Sequence, residues 1–163
     1  MRKIIAAFAL LVSFWSCQAQ ETEFSKKTLE TKFKDKDNKE IKFSQILDQY
    51  KGKTIFIEVW ASWCPDCIKG MPFVKELHEV YGSDVVFLNL SCDKTYESWL
   101  SGIEKNQVKG EHYLIPDGMK GKFGKSIKLD WIPRYMIIDK TGKIALYKAT
   151  ESTDPKIEET LNK

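Results

Sequence analysis

A run of β-branched and aromatic side chains, Thr54-Ile55-Phe56-Ile57-Glu58-Val59-Trp60, stands three residues before Cys64-Pro65-Asp66-Cys67, and a helical apolar pattern follows directly. The run is too continuously apolar for a half-wet strand, so it is expected to be buried on both faces of a sheet. Beyond Cys64, the residues Met71, Val74, Leu77 and Val80 are spaced for one face of a helix that Gly82 ends. A thiol at the point where a strand gives way to a helix sits among unsatisfied backbone N–H groups and at the positive end of the helix dipole, both of which favour the thiolate. The thiolate is the nucleophile of disulfide exchange, so Cys64 is expected to attack. Cys67 lies one helical turn further along the same face and is placed to resolve the mixed disulfide. Pro65 suits the first turn, where its missing N–H has no partner to lose.

Cys-x-x-Cys also serves metals. A structural zinc needs four ligands, and Cys92, His78 and His112 are scattered singly, with no second pair. Covalent haem attachment needs a histidine where this chain has Ile68. A zinc site is therefore the weaker reading of the pair, and no metal ligands are assigned.

The rest of the chain alternates strands with helices. Phe33 to Phe43 reads as a small hairpin around Asp35 to Lys39, and Ser44 is placed to cap a short helix, Gln45 to Tyr50, ended by Gly52. Val85 to Leu90 reads as a second buried strand and Tyr96 to Asn106 as a helix. Tyr113 and Leu114 form a short strand, and a short helix lies within 118–126. Arg134 to Ile138 and Lys143 to Tyr147 form a closing hairpin, and Asp154 to Leu161 is a last helix with Pro155 in its first turn. This order implies an α/β fold with a mixed central β-sheet flanked by helices. With 163 residues, 42% of them hydrophobic, the chain can build one core of ordinary size.

The N-terminus is set apart. Met1-Arg2-Lys3 is basic, and Ile4 to Trp15 is apolar apart from Ser13, shorter than the about 20 residues a membrane-spanning helix needs. Residues 1–16 therefore read as a secretory signal. The run Ser13-Phe14-Trp15-Ser16-Cys17 resembles the lipobox of bacterial lipoproteins, which makes Cys17 the candidate lipidation site; Phe14 and Trp15 depart from that pattern and leave ordinary cleavage near Ala19 open. Residues 17–30 are expected to be a polar tether and 31–163 the folded domain. Loss of residues 1–16 removes Arg2 and Lys3 and no acid, leaving 24 basic residues against 23 acidic ones. Lysines alternate with acids instead of forming a stripe, so no nucleic-acid partner is expected.

Several linked motifs resemble the thioredoxin superfamily and, within it, the exported TlpA/ResA-like thiol:disulfide interchange proteins. They are the strand and active-site start Phe56 to Cys67 with its two tryptophans, Pro72 five residues after Cys67, and Ile132-Pro133 ahead of a strand. The likeness implies a thioredoxin-like fold, with Pro133 as the cis-proline and Ile132 presenting its backbone to an extended substrate segment beside Cys64. Cys67 and Pro133 stand 66 residues apart, which matches an extra αβ insertion between the active-site helix and the cis-proline strand. The likeness also places Glu58 where the superfamily keeps a buried acid. There desolvation would raise its pKa and suit it to exchange a proton with Cys67, whereas the blander reading makes it an edge charge. Trp63, Pro65 and Asp66 are expected to border the substrate, Trp60 to pack in the core, Cys92 to be a buried inert thiol, and His78 to lie on the surface.

The expectation is an enzyme of the bacterial periplasm or cell envelope that exchanges disulfides with protein substrates, needs no cofactor, and works as a monomer. A redox partner in the membrane would reset the dithiol. Asp66 places negative charge near the Cys64 thiolate, which points to a reductant. Two alternatives use the same fold: a periplasmic metallochaperone holding Cu(I) between the two thiolates, and a non-catalytic interaction module.

Overall fold

The computed structural model describes residues 20–163, so the signal segment, Cys17 and the first residues of the expected tether lie outside the described residues. Seven strands form one sheet: β1 (Lys32–Lys34), β2 (Glu40–Lys42), β3 (Thr54–Trp60), β4 (Val85–Ser91), β5 (Glu111–Leu114), β6 (Arg134–Ile138) and β7 (Ile144–Ala149). Their order across the sheet is β2-β1-β5-β4-β3-β6-β7. β3, β4 and β5 run parallel, while β6 and β7 on one side and the β1–β2 hairpin on the other are antiparallel, so the sheet is mixed as expected. The helices are α1 (Lys26–Leu29), α2 (Phe43–Gln49), α3 (Pro65–Tyr81), α4 (Tyr96–Asn106), α5 (Lys122–Ser126) and α6 (Pro155–Leu161). Between α3 and β6 the chain runs β4, α4, β5, α5, which supplies the extra αβ unit.

Both faces of β3 are covered, which is why its sequence is apolar throughout. Ile55, Ile57 and Val59 join a core with Phe43 and Ile46 of α2, Trp99 of α4 and Phe123 of α5. Phe56, on the opposite face, packs with Val74 and Leu77 of α3, Tyr135 and Ile137 of β6, and Ile157 of α6. The parallel centre thus has helices on either side, the arrangement that buries strands completely.

Four expectations need correction. Val80 was expected to share the apolar face of α3, but it is 69% exposed. Each step of three residues falls 60° short of a full turn at 100° per residue, so Val80 has rotated about half a turn from Met71. The buried face of α3 is instead Cys67, Gly70, Met71, Val74 and Leu77. Helix α2 starts at Phe43, not after Ser44, because the Gln45 side chain accepts from the Lys42 N–H at 3.0 Å and buried Phe43 is drawn into the first turn. His78 is half-buried against the Phe87 ring, with centroids 4.8 Å apart, and is not a free surface group. Finally, much of the expected tether is folded. Ser25 caps α1, accepting from the Thr28 N–H at 3.2 Å, Thr28 is buried, and the Thr22 carbonyl accepts from the Ile144 N–H at 2.8 Å.

Candidate active site

Strand β3 ends at Trp60, and Ala61 to Trp63 carry the chain over the sheet edge to Cys64, the N-cap of α3. The Cys64 Sγ accepts from the Cys67 N–H at 3.1 Å, so the sulfur occupies the position of a capping oxygen among the orphaned amides. That is the geometry expected to favour a thiolate at Cys64. Cys64 and Cys67 are joined as a disulfide with their Cα atoms 5.3 Å apart. Pro65 takes the first helical position. Pro65 and Asp66 are exposed, and Trp63 is 54% exposed beside the pair.

The loop before Cys64 is fixed from beneath. Buried Asp93 accepts from the Ser62 N–H at 3.1 Å and the Ser62 hydroxyl at 2.6 Å, and a third bond comes from the Ser91 hydroxyl at 2.7 Å. On another side, Gly102 of α4 abuts Ser62 so closely that a Cβ there would lie 2.5 Å from the Ser62 Cβ. Neither Asp93 nor Gly102 was singled out from the sequence. Asp93 follows the end of β4, where an acid normally reads as surface, and Ser62 becomes its neighbour only when β3 and β4 pair.

Ile132 and Pro133 arrive at the dithiol from β6, whose antiparallel pairing sets its start beside the end of β3. Their peptide bond is cis, and the Ile132 carbonyl oxygen lies 3.6 Å from the Cys64 Sγ. Next to them a groove of about 380 Å³ is lined by Asp66, Lys69, Gly70, Phe73, Trp131 and Pro133, with the β7–α6 loop closing its far wall. Trp131 (55% exposed) and Phe73 (44%) give this groove apolar walls.

Glu58 is 1% exposed, and β3 is hydrogen-bonded to β4 on one side and β6 on the other, so the edge-charge reading fails. Burial pushes its carboxyl up to about 8, partly offset by the Tyr135 hydroxyl, which donates to Oε1 at 3.4 Å. Oε2 has no partner. Trp60 is fully buried. Cys92 is buried too, and desolvation, with Asp93 and Asp117 adding negative charge, pushes its thiol up to about 12, so it stays protonated and unreactive at neutral pH. His112 is buried near the β5 end, and desolvation takes its imidazole down to about 4. Among the described residues no group of three or more His, Cys, Asp and Glu side chains is placed to share a metal ion.

Comparison with known proteins agrees with this geometry. The Redoxin family model matches residues 18–161. ResA thiol-disulfide oxidoreductases are similar: one from Bacillus cereus is 29% identical over 118 residues, and that of Bacillus anthracis is 30% identical over 120, each alignment covering 72% of this chain. The chain spans 66% of the length of these relatives. A solution structure from Bacteroides vulgatus, assigned as a candidate thiol-disulfide oxidoreductase, is 36% identical with a TM-score of 0.66, covering 80% of this chain and 83% of that one. A secreted Mycobacterium tuberculosis disulfide oxidoreductase shares the fold, with a TM-score of 0.64 at 14% identity over 85% of this chain and 98% of its own. With the family model spanning nearly the whole chain and the redox pair in its expected place, the chain belongs to the Redoxin family, among its thioredoxin-like thiol-disulfide oxidoreductases.

Proposed function

We propose that this protein reduces disulfides in protein substrates outside the cytoplasm, with Cys64 as nucleophile, Cys67 as resolving thiol and Glu58 as proton acceptor. The observation that carries the reading is the Cys64–Cys67 pair closed at a helix N-terminus beside the cis Ile132–Pro133 bond. In the reduced protein the Cys64 thiolate attacks one sulfur of the substrate disulfide. The substrate S–S bond breaks, its other sulfur leaves as a thiolate and takes a proton from water, and a Cys64–substrate disulfide forms. Cys67 then passes its proton to the Glu58 carboxylate and attacks the Cys64 Sγ. The second substrate thiolate leaves and the protein keeps the Cys64–Cys67 disulfide, so two electrons have moved to the substrate. A carboxyl pushed up to about 8 is poised for this, since it can hold a proton and release it again near neutral pH.

The substrate segment lies in the groove beside Trp63, Pro65 and Asp66 and pairs with the backbone at Ile132, while Pro133 shapes the floor. The protein acts as a monomer, anchored to the cell envelope through lipid on Cys17, and a membrane redox partner returns the electrons. Support for the location comes from the sequence of residues 1–17. Support for the direction is the exposed Asp66 carboxylate between the two cysteines, which disfavours the Cys64 thiolate and so stabilises the disulfide form.

The reduction potential of the pair, measured by equilibration with dithiothreitol or glutathione, tests the direction. The reading expects a value on the reducing side of about −200 mV, towards thioredoxin at about −270 mV. A value near that of the oxidant DsbA, about −120 mV, would reverse the assigned role.

A further inference from the structure

The Glu58 carboxyl is held from outside its own strand. The β3–β6 register sets Glu58 opposite Tyr135, and partners across a sheet project to the same face, here the face covered by α3 and α6. Tyr135 is fully buried, its ring stacked on Phe56 with centroids 5.6 Å apart, which leaves its hydroxyl one carboxylate to meet. The hydroxyl donates to Glu58 Oε1 at 3.4 Å, long for an O–H···O bond and consistent with a neutral acid that accepts weakly. Ionisation of Glu58 would strengthen it. The Ser152 Oγ, from the β7–α6 loop, comes up beside the Tyr135 hydroxyl, both of them facing Gly70. Gly70 makes room for both: a Cβ there would lie 2.9 Å from the Tyr135 oxygen and 3.1 Å from the Ser152 Oγ. That glycine stands three residues after Cys67, on the buried face of the same helix.

We propose that Tyr135, flanked by Ser152 and given room by Gly70, is a positioning residue for resolution, whose hydroxyl aims the Glu58 carboxylate and stabilises it as the acceptor of the Cys67 proton. The inference rests on the proposed transfer from Cys67 to Glu58 and adds a residue to it. Ser152 and Gly70 also line the substrate groove, so the Tyr135 hydroxyl stands between the groove wall and the buried acid to which it donates. Other groups near Glu58 do not substitute for the hydroxyl. Lys75 and His78 of α3 and Lys109 after α4 share a narrow slot with Glu58, and Asn89, opposite on β4, carries no charge. These groups stay in place with or without the Tyr135 hydroxyl, so a change caused by removing that hydroxyl is its own.

Tyr135→Phe keeps the ring and deletes the hydroxyl, and Ser152→Ala, on the half-exposed loop, removes the hydroxyl that flanks it. The Glu58 carboxyl is followed by carbon NMR against pH in the reduced protein, and the resolution phase by single-turnover kinetics with a fluorescent disulfide substrate. Tyr135→Phe is expected to move the Glu58 midpoint up by about one pH unit and slow resolution at neutral pH by about tenfold, with attack by Cys64 unchanged. Ser152→Ala should shift both in the same direction by less. A Glu58 midpoint unmoved in both variants overturns the proposal, as does a normal Glu58→Gln defect alongside an unaltered Tyr135→Phe resolution profile. If Glu58→Gln itself resolves as fast as the parent protein, the proton-transfer reading fails and takes this inference with it.

Discussion

Glu58→Gln should make the protein more stable, and by an amount that grows with pH. The carboxyl is 1% exposed and has a midpoint of about 8 in the fold, against 4.5 for the same group in the open chain. Between those values the unfolded chain has released a proton that the folded one still holds, so stability is fully present below about 4.5 and is lost as pH rises towards 8. A gap of about 3.5 pH units at about 1.4 kcal/mol each gives a penalty of about 5 kcal/mol, a large part of the 5–15 kcal/mol that holds a typical domain together. Glutamine keeps an acceptor for the Tyr135 hydroxyl and has no charge to desolvate. Urea unfolding of the oxidised protein, in which the dithiol cannot titrate, measures the difference between parent and variant from pH 4.5 to 9. The advantage of Glu58→Gln should be small at pH 4.5, rise by about 1.4 kcal/mol per pH unit through the middle range, and level off above pH 8. His112, driven the other way by burial, makes both proteins lose stability as pH falls from 6.5 towards about 4, and it cancels in the difference. Parent and variant curves that run parallel across the whole range would show that Glu58 is not desolvated and would remove the basis for its proposed role.

Gly102→Ala should press on the active-site loop through Ser62, costing about 1–3 kcal/mol in thermal or urea unfolding and slowing attack by Cys64; an unaltered rate would mean that the loop position is not set from α4. For the proposed anchor, Cys17→Ala should release the protein from membranes or leave it unprocessed, since acyl chains contribute about 0.8 kcal/mol per buried CH₂ and several together hold firmly. Mass spectrometry finding a mature N-terminus at Gln20 without lipid would contradict it.

Elements whose signal is local were legible in the sequence. Strand β3, helix α4 and strand β6 have the bounds their composition implies, because an unbroken apolar run, a capped amphipathic stretch and a strand after proline each carry their own punctuation. Helix α1 was missed since four residues hold no period. The face of α3 was misplaced at its far end, where steps of three residues imitate a helical stripe before drifting off it. The dithiol and Pro133 were legible because the motif is contiguous and the resemblance is specific. What surrounds them depends on strand pairing. Tyr135 meets Glu58 only through the β3–β6 register, and Asp93 meets Ser62 only once β3 and β4 lie side by side. Arg134 is hidden in the same way: composition puts an arginine on the surface, yet here it is fully buried, with its guanidinium meeting the Asp130 carboxylate and the Lys128 carbonyl.

The division of labour between the two cysteines is the centre of the account, and trapping tests it most directly. Reduced Cys67→Ser and Cys64→Ser proteins are mixed with a disulfide-containing protein substrate and separated on non-reducing gels. Cys67→Ser should accumulate a covalent complex, because Cys64 still attacks from the helix N-terminus and nothing releases the product. Cys64→Ser should accumulate none, since Cys67 is fully buried and cannot reach a substrate. Equal trapping by both variants, or trapping by Cys64→Ser alone, would contradict the assignment.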